Sequence, residues 1–263
     1  MGSLWDAILK NLTPALGSFF IIDLIAATTN AFNGALLARR PTHYRHYTRV
    51  GIVILAIFGG IGGGVMRDIL LNTVPDPLQS PYYVVFATLA AVLALYLNYH
   101  TGQKVREGMF RFMAAFSLPW FAALGAYKSL EAGLPPIVAL AVGVTGATTG
   151  RFLIDITSGM TPKHFLRGEW FVGTALLTSA VYLPLWYAGL SIWPATLIAV
   201  AVGFTFRILA LHYKWEEPEP WEPPEAAHAT APAGRSSHAL DDAAGTARAH
   251  PTADPPDPQL RKP

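Results

Sequence analysis

GGIGGGVMRDILLNTVP, residues 59–75, returns 87 positions later as GATTGRFLIDITSGMTP, residues 146–162. The shift superposes Gly59 on Gly146, Gly63 on Gly150, Asp68 on Asp155 and Pro75 on Pro162. Fixed-period self-similarity is the first thing to seek in a sequence. Here it extends, more weakly, to Asn33-Gly34-Ala35 against Leu124-Gly125-Ala126. Each stretch lies in an apolar segment of helix-spanning length. A bilayer-crossing helix needs about 20 mainly apolar residues, and candidates run over 16–38, 50–71, 82–100, 112–130, 136–157, 169–190 and 192–213. Spans one to three therefore resemble spans four to six. Three is odd, so the second unit enters the membrane from the opposite side. The expected fold is an all-α membrane protein of seven transmembrane helices, two inverted three-helix repeats (16–100 and 101–190) plus a seventh at 191–213.

Loop charge gives the orientation independently, because Lys and Arg are retained on the cytoplasmic side. Arg39, Arg40, Arg45 and Arg49 follow the first span, Lys104, Arg106 and Arg111 the third, Lys163 and Arg167 the fifth. The connections at 72–81, 131–135 and 191–194 carry neither residue type. This alternation sets residues 1–15 outside the cell and the tail in the cytoplasm.

Composition agrees. The chain is 52% hydrophobic and 14% charged, against roughly 25% charged in soluble domains. Met1 to Ala15 lacks a basic segment followed by a small-residue cleavage site, so no removable signal peptide is expected. The absence of cysteine excludes disulfides, thiolate metal sites and cysteine nucleophiles. Neither H-E-x-x-H, G-x-S-x-G nor a Walker loop occurs, so the chain is read as a non-enzyme. His43 and His46 sit in a basic loop suited to headgroups rather than metal. Net charge is +6 up to Tyr213 and −4 from Lys214 onward, where ten prolines also fall. Such a tail, 214–263, cannot bury enough apolar surface to fold.

Five glycines stand within residues 59–64 (Gly59, Gly60, Gly62, Gly63, Gly64), each costing about 1 kcal/mol against alanine in a helix. With Gly146 and Gly150 they fit either a kinked or unwound stretch facing a polar path, or close packing through small-xxx-small pairs. Charges at membrane depth mark ion routes by default, or else lock helices as ion pairs. These are Asp23, Arg67, Asp68, Lys128, Arg151 and Asp155. Neighbours in sequence do not face each other on a helix, so Arg67 is expected to pair with a carboxylate of the opposite repeat such as Asp155. Lys128, with only Glu131 nearby, gates a path, binds an anion or anchors at the interface. Arg207 is expected to snorkel to the cytoplasmic face. Tyr82, Tyr83, Trp120, Trp170, Trp186 and Trp193 read as an interfacial belt.

Asp23 eleven residues before Gly34-Ala35, Gly62-Gly63-Gly64 closing on Arg67-Asp68, Gly125-Ala126-Tyr127-Lys128, and the second glycine motif with Asp155 and Pro162 together resemble the prokaryotic trimeric intracellular cation (TRIC) channels. Members of that family are also labelled putative glycine transporters. The resemblance covers about residues 16–213. It implies a homotrimer with one pore per subunit, lined by kinked second and fifth helices, passing potassium and sodium, with Lys128 near the pore. It implies no cofactor beyond the permeating ion and bound lipid, and no nucleic-acid partner. The repeats depart from each other: Ile154 stands opposite Arg67, Arg151 opposite Gly64 and Ala114 opposite Asp23. Three functions remain: a monovalent cation channel, a secondary transporter of a small zwitterion such as glycine, and an assembly protein whose buried charges only lock helices.

Overall fold

The computed structural model describes residues 17–40, 46–96, 103–166, 168 and 170–217, the side chains of 103–106 excepted. Expectations for residues 1–15, for most of the tail, and for His43, Arg45, Lys104, Arg106 and Arg167 lie outside them. Seven long helices follow: α1 (Ser18–Ala38), α2 (Arg49–Leu70), α3 (Pro81–Tyr96), α4 (Gln103–Glu131), α5 (Pro136–Thr157), α6 (Phe171–Tyr187) and α7 (Ile192–Tyr213). A helical turn, Asp76–Gln79, links α2 to α3, and a 3-10 turn, Lys163–Phe165, precedes α6. No strand occurs among the described residues beyond an isolated bridge at Glu216. Five helices are long and apolar enough to cross a membrane; α3 and α6 are apolar but shorter. Those two correspond to the spans whose sequence is least interrupted. At 16 and 17 residues they measure about 25 Å at 1.5 Å per residue.

Local chemistry sets the ends. Thr48 caps α2, its hydroxyl accepting from the Gly51 N–H at 3.0 Å. Proline at the first helical position begins α3 and α5, where a missing N–H costs nothing. The exits of α2 and α5 are built alike. Asn72 and Gly159, 87 residues apart, both turn left-handed, at φ 55° and 67°. The Thr73 N–H reaches the Asp68 carbonyl at 2.9 Å, and Met160 reaches Asp155 at 2.8 Å. Each is a helix-terminating bond of the kind a left-handed residue permits, and a proline, Pro75 or Pro162, ends the turn.

The packing is small inside and large outside. Ala26, Ala31, Ala56, Ala91, Ala122 and Ala199 are among the fully or nearly fully buried residues, whereas Leu89, Leu93, Ile137 and Leu197 are at least half exposed. In lipid there is no hydrophobic drive between helices, so small residues that let backbones approach supply the attraction. The large apolar side chains that remain outward suit hydrocarbon and would be an aggregation liability in water.

Helices α2 and α5 meet at backbone level, and glycine permits it. A side chain on Gly63 would strike the Gly146 carbonyl, and one on Gly150 would strike the Gly59 carbonyl. These two contacts exchange under the 87-residue shift. Gly34 of α1 lies on Leu55 and Ala56 of α2, while Gly125 of α4 lies on Val142 and Gly143 of α5. That is the same contact again, 87 residues on for the partner helix. Both α2 and α5 run as uninterrupted α-helix through their glycines. The unwound alternative therefore gives way to close packing.

Candidate functional site: polar groups along the α2–α5 crossing

Charged side chains collect at the two ends of this crossing. At the end where α2 finishes, Arg67 is 1% exposed and Asp23 and Asp68 are wholly buried. The Arg67 guanidinium donates from Nη1 to Asp23 Oδ1 at 2.8 Å and from Nε to Asp68 Oδ1 at 2.7 Å. It also meets Asp76 Oδ2 at 3.3 Å. Lys128, arriving on α4, donates to Asp68 at 2.8 Å and Asp76 at 2.5 Å. The Tyr83 hydroxyl of α3 donates to Asp23 Oδ2 at 2.8 Å. The Phe19 ring covers both cations, 5.1 Å from Arg67 and 5.3 Å from Lys128. Three carboxylates thus face two cations, a closed and mildly acidic knot tying α1, α2, α3 and α4. Burial raises the Asp76 carboxyl above the ordinary carboxylate range, with Lys128 opposing the shift and Asp68 adding to it.

Several expectations are corrected here. Arg67 does not pair with Asp155, because α2 and α5 run antiparallel and their ends diverge from a central crossing. Asp68 and Asp155 each sit about seven residues past it, which separates them by about 20 Å. Arg67 and Asp68, adjacent in sequence, nevertheless bond, since a long guanidinium curls back onto a short neighbour. Lys128 is not lone, since Asp68 and Asp76 both accept from it. Tyr83 and Trp120 are buried, at 1% and 6% exposure, and belong to the core rather than a belt.

At the other end Asp155, also buried, accepts from Arg151 Nε at 2.7 Å and from the Lys163 N–H at 3.2 Å. The second bond repeats Asp76 N–H to Asp68 at 2.9 Å, 87 residues on. The charge at that repeated position changes sign, Asp76 to Lys163. A cleft of about 40 Å³ opens beside it, lined in part by Arg40, Glu107, Arg111, Arg151, Lys163 and Arg207. Arg40 and Arg111 pair with Glu107 at 2.5 and 3.3 Å. Arg207 does not snorkel: it is 3% exposed, its guanidinium 5.6 Å from the Phe171 ring centre. His164 packs beside Phe171 at 5.2 Å, and burial holds its imidazole below the usual range.

Between the ends, Asn30 of α1 donates to the Gly59 carbonyl at 2.6 Å and accepts from the Ser117 hydroxyl at 3.2 Å. The sequence reading passed over Asn30, Ser117 and Asp76, and took Tyr83 for an interfacial aromatic. Asp76 had a signal, its place 87 residues before Lys163 beside a matched proline. The others are polar residues of a sort common in membrane helices. Among the described residues no group of His, Asp and Glu is placed to hold a metal.

The helical bundle and its intramembrane charges define a multi-pass membrane protein, and comparison with known proteins specifies the kind. A family model described as "Glycine transporter" matches residues 20–99 and 111–187. The solved TRIC orthologue from Rhodobacter sphaeroides is 30% identical with a TM-score of 0.66, over 74% of this chain and 98% of its own. A prokaryotic TRIC channel solved in 0.5 M KCl, 21% identical, shares the fold at a TM-score of 0.67, over 75% of this chain and 97% of its own. Among curated relatives, a UPF0126 membrane protein of Deinococcus radiodurans is 27% identical over 66% of this chain and 79% of its own. The inner membrane protein YadS of Escherichia coli K12 is 22% identical over 75% and 93%. The chain belongs to the trimeric intracellular cation channel family, whose family model carries the glycine-transporter description.

Proposed function

We propose that this protein is a monovalent cation channel of the cell membrane, passing potassium and sodium along the α2–α5 crossing of each subunit. The observation that carries this is the succession of polar groups along that crossing. The Asp23–Arg67–Asp68–Lys128 knot stands at one end, Asn30 and Ser117 at mid-depth, and Arg151–Asp155 at the other. Charges at such depth face one another or water and mark ion pathways. The glycines let two helices touch at backbone level, so that a small separation or bend at Gly59–Gly64 and Gly146–Gly150 opens a path. In the conformation described, the knot is fully ion-paired and acts as a closed gate.

The architecture we infer is two inverted three-helix repeats, α1–α3 and α4–α6, with α7 added. The interchangeable glycine contacts and the helix exits matched at 87 residues support it, as inverted repeats place their sites at the shared interface. The loop charges favour an extracytoplasmic amino terminus and a cytoplasmic carboxy terminus. In that proposed orientation the Lys128 knot lies outside and the Arg151 cleft inside. We also infer assembly as a homotrimer in contact with membrane lipid; a solved relative named as a trimeric intracellular cation channel supports the trimer.

Purified protein in potassium-loaded vesicles provides the test, read with a voltage-sensitive dye. Potassium efflux that charges the vesicles, and is lost when the crossing is blocked, supports the channel. Electrically silent vesicles that accumulate labelled glycine to saturation replace it with a transporter.

A further inference from the structure

The two charged ends account for the residues that attract attention in the sequence, but not for the polar contact between them. Asn30 lies seven residues, two turns, beyond Asp23 and so on the same face of α1. It stands near the middle of α1, Gly59 near the middle of α2, and Ser117 near the middle of α4. Its Nδ2 reaches the Gly59 carbonyl at 2.6 Å and its Oδ1 takes the Ser117 hydroxyl at 3.2 Å. A side chain built on Gly150 of α5 would come within 3.2 Å of the same Nδ2. One carboxamide of α1 therefore touches or borders α2, α4 and α5, near the middle of the helices.

A carboxamide there is costly unless bonded. It also has more capacity than it uses, with two N–H donors and two lone pairs on oxygen against one bond of each kind. The Gly59 carbonyl beside it is a second oxygen dipole. Neutral oxygen dipoles are the groups that substitute for the water of a dehydrated monovalent cation in ion-conducting proteins. Full charges, as at the two ends, would hold such an ion too firmly or repel it.

We propose that Asn30 is the mid-depth gate and ion-ligating residue of this channel, resting on the cation-channel reading above. In the closed state the Asn30 bonds to Gly59 and Ser117 bridge α1 to α2 and α4 and fill the path. In the open state α2 and α5 separate at their glycines, the Asn30–Gly59 bond breaks, and the two oxygens turn to the passing cation. Asn30 then determines unitary conductance and the preference between potassium and sodium, whereas the charged ends determine when the path opens.

The chain has no cysteine, which makes the test direct. Asn30→Cys and Ser117→Cys are compared with Leu89→Cys, an exposed apolar position on α3. The probe is a cationic, membrane-impermeant thiosulfonate, read both by mass and by block of potassium current. A thiol in apolar surroundings has a raised pKa and little thiolate, so the two crossing positions should react at least about tenfold faster than the control. Asn30→Leu should fold and remain monodisperse but lose unitary current. Asn30→Gln should restore current with an altered potassium-to-sodium permeability ratio. Reaction at Asn30→Cys no faster than at Leu89→Cys overturns the proposal, as does unchanged conductance and permeability ratio in Asn30→Leu. Either result in a conducting wild type leaves the channel reading standing, whereas a wild type that carries no current removes both.

Discussion

Arg67→Ile tests the energetics of the charged knot at the end of α2. The guanidinium is 1% exposed and contacts Asp23 at 2.8 Å, Asp68 at 2.7 Å and Asp76 at 3.3 Å. Removing one member of a buried ion pair costs about 3–5 kcal/mol, because the partner's desolvation is left uncompensated. Here the stranded group is Asp23, which keeps only the Tyr83 hydroxyl among the contacts described; Asp68 still has Lys128 and the Asp76 N–H. At about 2–4 °C per kcal/mol for a chain of this size, Arg67→Ile should lower the Tm by roughly 6–20 °C. Asp23→Ala should cost less, since Arg67 retains two carboxylates. The informative variant is the double, Asp23→Ala with Arg67→Ile. It copies the residues that stand at the corresponding places in the other half, Ala114 and Ile154, the latter fully buried. It should lose less than the sum of the singles by about 1–3 kcal/mol. Thermal unfolding in detergent, followed by tryptophan fluorescence, measures all three. Strict additivity, or an Arg67→Ile protein as stable as wild type, would refute the argument that these charges depend on one another.

Other outcomes follow from single features. Gly63→Ala and Gly150→Ala each drive a methyl into a backbone carbonyl of the facing helix and should cost about 1–3 kcal/mol or more. Gly108→Ala, with open space around it, should be neutral or stabilising by up to about 1 kcal/mol in the same assay. Asp76 lies outside the spans with its carboxyl raised by burial, so the folded state binds that proton more readily than the unfolded chain. Stability from this group is full at acid pH and is lost as pH rises through the shifted value; Asp76→Asn should flatten that part of a pH–Tm curve. Tyr83→Phe deprives Asp23 of its hydroxyl donor and should cost about 1–3 kcal/mol, visible as a lower Tm with unchanged helix content by circular dichroism.

How far the sequence revealed this arrangement differs by scale. The helices and the α2–α5 match were legible because hydropathy and glycine spacing are local signals. So was the equivalence of Asp68 and Asp155, which accept the same backbone bond from Asp76 and Lys163. Which charges pair was not legible. Arg67 reaches a carboxylate 44 residues earlier and one in a connection, and a rule about neighbouring helix positions misjudged its long side chain. Lys128 looked isolated because its partners lie on another helix and on the turn after it. Arg207 was expected to reach for water, yet the cleft beside Phe171 offers it a polar wall inside the bundle. Asn30 and Ser117 gave no signal at all, since only the chain of bonds from Ser117 through Asn30 to the Gly59 carbonyl distinguishes them from ordinary polar residues in spans.

Single-channel recording in a planar bilayer, under a tenfold gradient of potassium chloride, addresses the central claim most directly. A cation channel should give discrete current steps that reverse near the potassium equilibrium potential, about 59 mV in magnitude for a univalent ion. Steps that reverse near the chloride potential, or a silent membrane with correctly folded protein, would contradict it.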